Sequence, residues 1–170
     1  SSAASDVYKR QDVFGYSAAL PQILKKSGVN YFLTQKLSWS QFNEFPHHTF
    51  NWRGIDGTEI LTHFPPENTY NSELDTQFLV PAQDHFKEKA YLDEFISLFG
   101  VGDGGGGPKP ENIELGRRMA SLESSPKVSF DTAKNFFDRL NNHKDKVDTW
   151  VGELYLELHR GTLTTHGLVC

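Results

Sequence analysis

The stretch YSAALPQILKKSGVNYFLT, residues 16–34, constrains the fold more than any other. Leu20, Ile23, Leu24 and Ser27 recur at helical spacing along one face. Ser17 can cap that helix, Pro21 is tolerated in its first turn, and Gly28 stops it. Tyr31-Phe32-Leu33-Thr34 then reads as a short buried strand. A helix feeding straight into a buried strand is the α/β pattern, in which helices cover a largely parallel sheet.

The remaining segments extend that pattern without closing it. HTFNWRG and TEILTHF flank Asp56-Gly57, a good turn dipeptide, and read as two strands. PPENTYNSELD is loop. A short helix is expected around residues 84–96, leading into a strand. Pro110 opens a helix whose buried side carries Ile113, Leu115, Met119 and Leu122. SPKVSF is extended. Ser129 is expected to cap a helix over residues 130–142, with Phe130, Ala133, Phe136, Phe137 and Leu140 on one face. TWVGELYLELHRGTLTTH alternates like a strand, with Glu153, Tyr155, Glu157 and His159 on one side and Leu154, Leu156 and Leu158 on the other. Residues 1–11 carry little pattern. A chain of 170 residues, 37% hydrophobic, suits one domain. The strands are too few for a complete sheet or barrel, so the chain reads as part of something larger.

Charge and composition narrow the function. The net charge is −5 and no block of Lys or Arg occurs, which argues against nucleic acid as a partner. No run of apolar residues is long enough to span a membrane. Cys170 is the single cysteine, which excludes an internal disulfide framework and a cysteine-built zinc site. The 13 Phe, 6 Tyr and 3 Trp often sit beside polar residues. Core packing accounts for some; sugar-binding clefts are lined the same way, because a ring offers a flat apolar face.

Several residues can carry chemistry. In GVGDGGGGPKP, residues 100–110, Pro108 and Pro110 flank Lys109 where a phosphate-binding loop needs Lys then Ser or Thr. The glycines read either as a linker or as a loop approaching a polyhydroxylated ligand, with Asp103 accepting its hydroxyls. Asp12 precedes a turn and a helix, as active-site loops of barrels do, or is a helix cap. Phe14 and Tyr16 form an apolar wall beside it or simply pack. Lys36 follows the strand at residues 31–34 and either holds a carboxylate ionised or sits at the surface. His47 and His48 are adjacent, so on a strand they point apart and cannot easily chelate one metal. Asp148, Glu153 and Glu157 are either a solvated face or members of a carboxylate pair.

Three stretches taken together are similar to glycoside hydrolase family 38, the α-mannosidases, in the branch of the cytosolic and vacuolar enzymes: residues 12–66 from DVFGYSAALP onward, FGVGDGGGGP, and WVGELYLELHRGTLTTH. The resemblance implies an α/β fold, here a partial seven-stranded β/α barrel over residues 12–166, with an unrelated leader at 1–11 and a tail at 167–170. It implies a retaining α-mannosidase that uses one zinc ion and acts on terminal α-mannose of oligosaccharides, in a cytoplasmic or vacuolar setting. It leaves homo-oligomerisation of the complete enzyme open. Asp12 stands at the nucleophile of the family's Asp-x-Phe-Gly stretch and also ligates zinc, the other ligands lying outside the chain. Phe14, Lys36, Asp103 and Glu153 bind or border substrate. Asp148 is the expected general acid, with Glu153 its rival. The isolated chain is expected to be inactive. A different metal-dependent carbohydrate hydrolase such as a deacetylase, or a non-catalytic carbohydrate-binding module, are the alternatives.

Overall fold

A computed structural model of the chain describes residues 7–9, 13–102, 106–159 and 161. Five strands form one mixed sheet in the order β1-β2-β4-β3-β5. These are β1 (Val7–Lys9), β2 (Tyr31–Leu33), β3 (Thr49–Arg53), β4 (Glu59–His63) and β5 (Thr149–Val151). β1, β2 and β4 run parallel, β3 and β4 form an antiparallel hairpin, and β5 lies parallel to β3. The hairpin turns at Ile55–Thr58: Asp56 Oδ1 accepts from the Thr58 amide at 2.9 Å, and Gly57 takes a φ of +86° that favours glycine. The described residues form a five-stranded mixed sheet with β1 and β5 at its two edges, and not the partial seven-stranded barrel expected from the sequence.

Strand periodicity divides the core into two layers. Phe32, Phe50, Trp52 and Ile60 project from one face and meet Leu24 of α1 (Leu20–Lys26). Leu33 and Leu61 project from the other and meet Phe136, Phe137 and Leu140 of α4 (Ala133–Leu140). Helices on both faces of a mainly parallel sheet is the architecture that the residue 16–34 unit predicts.

Some elements fall elsewhere than expected. Val7–Lys9, placed in an unpatterned leader, is a strand of the sheet. The helix expected at 84–96 is instead α2 (Thr76–His85), because the Asp75 side chain caps it by accepting from the Phe78 amide at 3.1 Å. Residues 87–91 turn sharply after it. Thr132, not Ser129, caps α4, accepting from the Asn135 amide at 3.2 Å. The α1 N-cap is Ala19, and Ser17 Oγ accepts from the Ala19 amide at 3.2 Å. SPKVSF joins no ladder. The helix at Pro110 is found as α3 (Pro110–Met119). Alternation after β5 holds for Leu154 and Leu156, both buried between exposed Glu153 and Tyr155.

Candidate active site

β2 delivers the site. At its C-terminal end the Thr34 hydroxyl lies 2.6 Å from the Tyr16 hydroxyl and 3.1 Å from that of Tyr70. Tyr70 Oη also accepts from the Gln35 amide at 3.0 Å, and Thr34 Oγ1 accepts from the Lys36 amide at 3.2 Å. This buried hydroxyl cluster fixes where the chain leaves the sheet. It then winds into a 3₁₀ turn, Lys36–Trp39. Three residues per turn bring positions i and i+3 onto one face. Lys36 and Trp39 therefore stack, with Nζ 3.3 Å from the indole centroid, while Gln35 and Ser38 pair on the next face through a 2.8 Å hydrogen bond. Lys36 is 2% exposed. A largely desolvated ammonium over an indole is worth about 2 kcal/mol, which helps to hold the charge inside.

Phe14 reaches the same place. Its ring lies 5.8 Å from Lys36 Nζ and meets the His159 ring edge-on at 4.8 Å. Gly15 makes the approach feasible: a Cβ there would come within 3.3 Å of the Leu154 carbonyl oxygen, and its φ is +102°. The backbones of Tyr16 and Leu154 then pair at 2.8 and 2.9 Å. Glu157 latches the returning segment. Its carboxylate accepts from the Phe42 and Asn43 amides at 3.1 and 2.7 Å and from Asn43 Nδ2 at 2.5 Å.

The structure thus brings Phe14 and Lys36 together and adds Trp39 and His159, which sequence reasoning did not single out for the site. The i, i+3 spacing in KLSW is the signal for Trp39. Asp12 and Asp103 lie outside the described residues. A Cβ at Gly102, however, would come within 2.7 Å of Asn71 Oδ1, so the residue before Asp103 packs beside Tyr70's neighbour. Asp148 precedes β5 at the same end of the sheet as Lys36, but β4 and β3 lie between β5 and β2. Three inter-strand spacings amount to roughly 14 Å. Glu153 stands exposed beyond the far end of β5, and its carbonyl accepts from Trp150 Nε1 at 2.9 Å.

Asp148 belongs to a second titratable group. Glu88, 1% exposed, accepts from the His48 amide at 3.2 Å and the Thr49 amide at 3.0 Å. His47 Nδ1 lies 3.6 Å from Glu88 and 3.8 Å from Asp148. Burial pushes the Glu88 carboxyl up to about 7, with the Asp148 charge adding to it against the backbone donors. Its protonated form therefore favours the fold. That contribution is whole below the ordinary Glu value of 4.5 and is lost as pH rises through about 7. Burial pushes His48 down to about 4 and His63 well below its usual value, so both act in the opposite sense: their contribution is present above about 6.5 and is lost in acid. Glu88→Gln separates the two trends. Measured against the unmodified protein, the variant should gain about 2–3 kcal/mol of relative stability between about pH 5 and pH 8. Equal differences in denaturation midpoint at both pH values would refute this.

Residues 3–153 match the profile of the Glycosyl hydrolases family 38 N-terminal domain. The chain belongs to glycosyl hydrolase family 38. Similar family 38 sequences include Alpha-mannosidase G of Dictyostelium discoideum, 49% identical over 154 residues, covering 91% of the chain and 14% of that protein. Alpha-mannosidase 2C1 of Homo sapiens is 42% identical over 158 residues, covering 93% and 15%. Alpha-mannosidase of Saccharomyces cerevisiae is 42% identical over 170 residues, covering 95% and 16%. The crystal structure of an alpha-mannosidase from Enterococcus faecalis V583 shares the fold, with a TM-score of 0.58, 16% identity, and coverage of 88% of this chain and 18% of that one. The chain therefore spans only about a sixth of the length of these curated relatives. Among the described residues of this family 38 chain, no group of three or more His, Cys, Asp or Glu side chains could hold a metal ion. No helix among them is long and apolar enough to cross a membrane.

Proposed function

We propose that the complete protein containing this chain is a retaining α-mannosidase that releases terminal α-mannose from oligosaccharides in the cytoplasm or vacuole, and that its catalytic domain closes into a seven-stranded β/α barrel. The supporting observation is the buried Lys36 ammonium beside the Phe14–His159 aromatic pair, two residues along the chain from Asp12. In this reading the Asp12 carboxylate attacks the anomeric carbon and the glycosidic bond breaks as a carboxylic acid protonates the departing oxygen. The resulting carboxylate then takes a proton from water, the water oxygen bonds to the anomeric carbon, and Asp12 is released. Lys36 favours the ionised form of Asp12 by opposite charge, and Phe14 packs on the sugar. Glu153 remains a proposed substrate contact.

For the proton donor, Asp148 is the candidate with Glu153 its rival, and Asp103 borders the substrate. Asp148 faces His47 and Glu88. Zinc, as a cofactor, would be held by Asp12 with ligands outside the chain and would supply a template for sugar hydroxyls. The described residues do not form such a site unaided. The 170-residue chain alone is expected to be inactive. Family membership weighs against a deacetylase or a carbohydrate-binding module. The test is the anomer first released from an α-mannoside by the full-length protein, followed by proton NMR. An α-product is expected; a β-product would exclude the double displacement, and no turnover would exclude the enzyme reading.

A further inference from the structure

The ammonium of Lys36 is a compact charge on a flexible four-carbon stem, so burial alone does not decide where it sits. An aromatic face decides it here. Nζ lies 3.3 Å from the centroid of the Trp39 indole and 5.8 Å from that of the Phe14 ring, both within reach of cation–π attraction. The nearer ring is also the stronger partner, because an indole has the most attractive face of the aromatic side chains.

Trp39 is held by its backbone rather than by its own burial. It is 45% exposed, so it adds little to the core. Leu37, two residues before it, is buried in the same apolar cluster as Phe32 and Trp52. Ser38 Oγ donates to Gln35 Oε1 at 2.8 Å, and the Ser40 amide donates to the Leu37 carbonyl at 3.1 Å. Ser40 Oγ accepts from the Glu157 amide at 3.4 Å, which ties the end of the turn to the segment that brings His159 onto Phe14. The indole is thus a fixed plate set against the Lys36 charge.

We infer that Trp39 is a positioning residue of the glycosidase reaction, whose indole holds the Lys36 ammonium where the nucleophilic carboxylate regains its charge. The inference rests on the retaining reading proposed above. In the first half of that reaction an Asp12 oxygen bonds to the anomeric carbon and its negative charge is lost. In the second half water's oxygen bonds to the same carbon and its proton passes to the acid–base carboxylate. The electron pair of the breaking C–O bond then returns to Asp12. A cation fixed beside Asp12 favours the half in which charge develops there. Trp39 therefore acts on release of the glycosyl–enzyme more than on its formation.

The test uses the full-length protein with tryptophans carrying one, two or three ring fluorines incorporated at position 39 alone. Fluorine drains the negative face of the ring and leaves its shape nearly unchanged, so the fold is kept. The lifetime of the adduct formed from a mannoside bearing fluorine at C2 should lengthen with each fluorine, about tenfold over the series, while its formation changes less than about twofold. Trp39→Leu, which removes the ring, should lengthen the lifetime on the order of 10²-fold. In a Lys36→Gln background the fluorines should have no effect, because no charge is left for the ring to hold. A lifetime that does not respond to fluorination, or responds equally without the Lys36 charge, overturns the inference. If the unmodified protein neither turns over an α-mannoside nor forms the adduct, the retaining reading falls and this inference with it. Normal turnover with a flat fluorine series removes this inference alone.

Discussion

Asp12→Ala in the full-length protein is expected to lower α-mannoside turnover by on the order of 10⁴-fold or more, the scale on which removal of a nucleophile acts elsewhere. The loss should fall on kcat, because the contacts proposed for the sugar, with Phe14 and around Lys36, stay in place while the attacking oxygen is gone. Lys36 is 2% exposed and carries its charge beside Phe14, so without Asp12 that charge loses the carboxylate it is proposed to face. A mannoside bearing a fluorine at C2 should trap a covalent adduct on Asp12 in the unmodified protein. Full turnover in the alanine variant, or an adduct on another residue, would overturn the mechanism. The same assays rank the proton donors. Asp148→Asn should slow sugar leaving groups far more than an activated aryl one, since only the former needs protonation to depart. If Glu153→Gln shows that pattern instead, Glu153 is the donor.

Trp52→Ala should destabilise the fold by about 3–5 kcal/mol. Trp52 is fully buried at the centre of β3, in register with Ile60 on one side and Trp150 on the other. Its ring packs against Phe32 at 5.2 Å and Tyr16 at 6.4 Å, and Nε1 donates to the Gly152 carbonyl at 2.6 Å. Removing the indole leaves a cavity between the helix layer and the sheet and costs the carbonyl its donor. Trp52→Phe keeps most of the apolar contact and should lose about 1–2 kcal/mol. Because Tyr16 leans on Trp52 and its hydroxyl anchors Thr34, the alanine variant should also lose activity at temperatures where it remains folded. A shift of less than about 1 kcal/mol in urea denaturation would show that the site collapses to refill the space.

Local rules made part of this molecule legible. The helical spacing of Leu20 and Leu24, the stop at Gly28 and the Asp56-Gly57 turn each act within a few residues, and α1, β2 and the β3–β4 hairpin follow from them. The leucine alternation after β5 likewise tells which side of Leu154 and Leu156 is buried. α2 was not legible from spacing alone, because its stretch is punctuated by Pro81 and its start rests on an Asp75 cap. β1 was not legible either: three residues have no period to read, and their pairing with Tyr31–Leu33 is what makes them a strand.

The chain's motifs determined its family, and Asp12, Phe14, Lys36 and Asp103 are the residues proposed from them for a mannoside site. Tertiary structure alone decided who meets whom. His159 reaches Phe14 only because residues 154–157 return across Gly15 and are latched by Glu157, some 115 residues from Phe42 in sequence. Asp148 and Lys36 lie at the same end of the sheet yet are kept apart by the order in which strands hydrogen-bond. Strand order and chain return depend on non-local burial and pairing, whose outcome no short window of sequence contains.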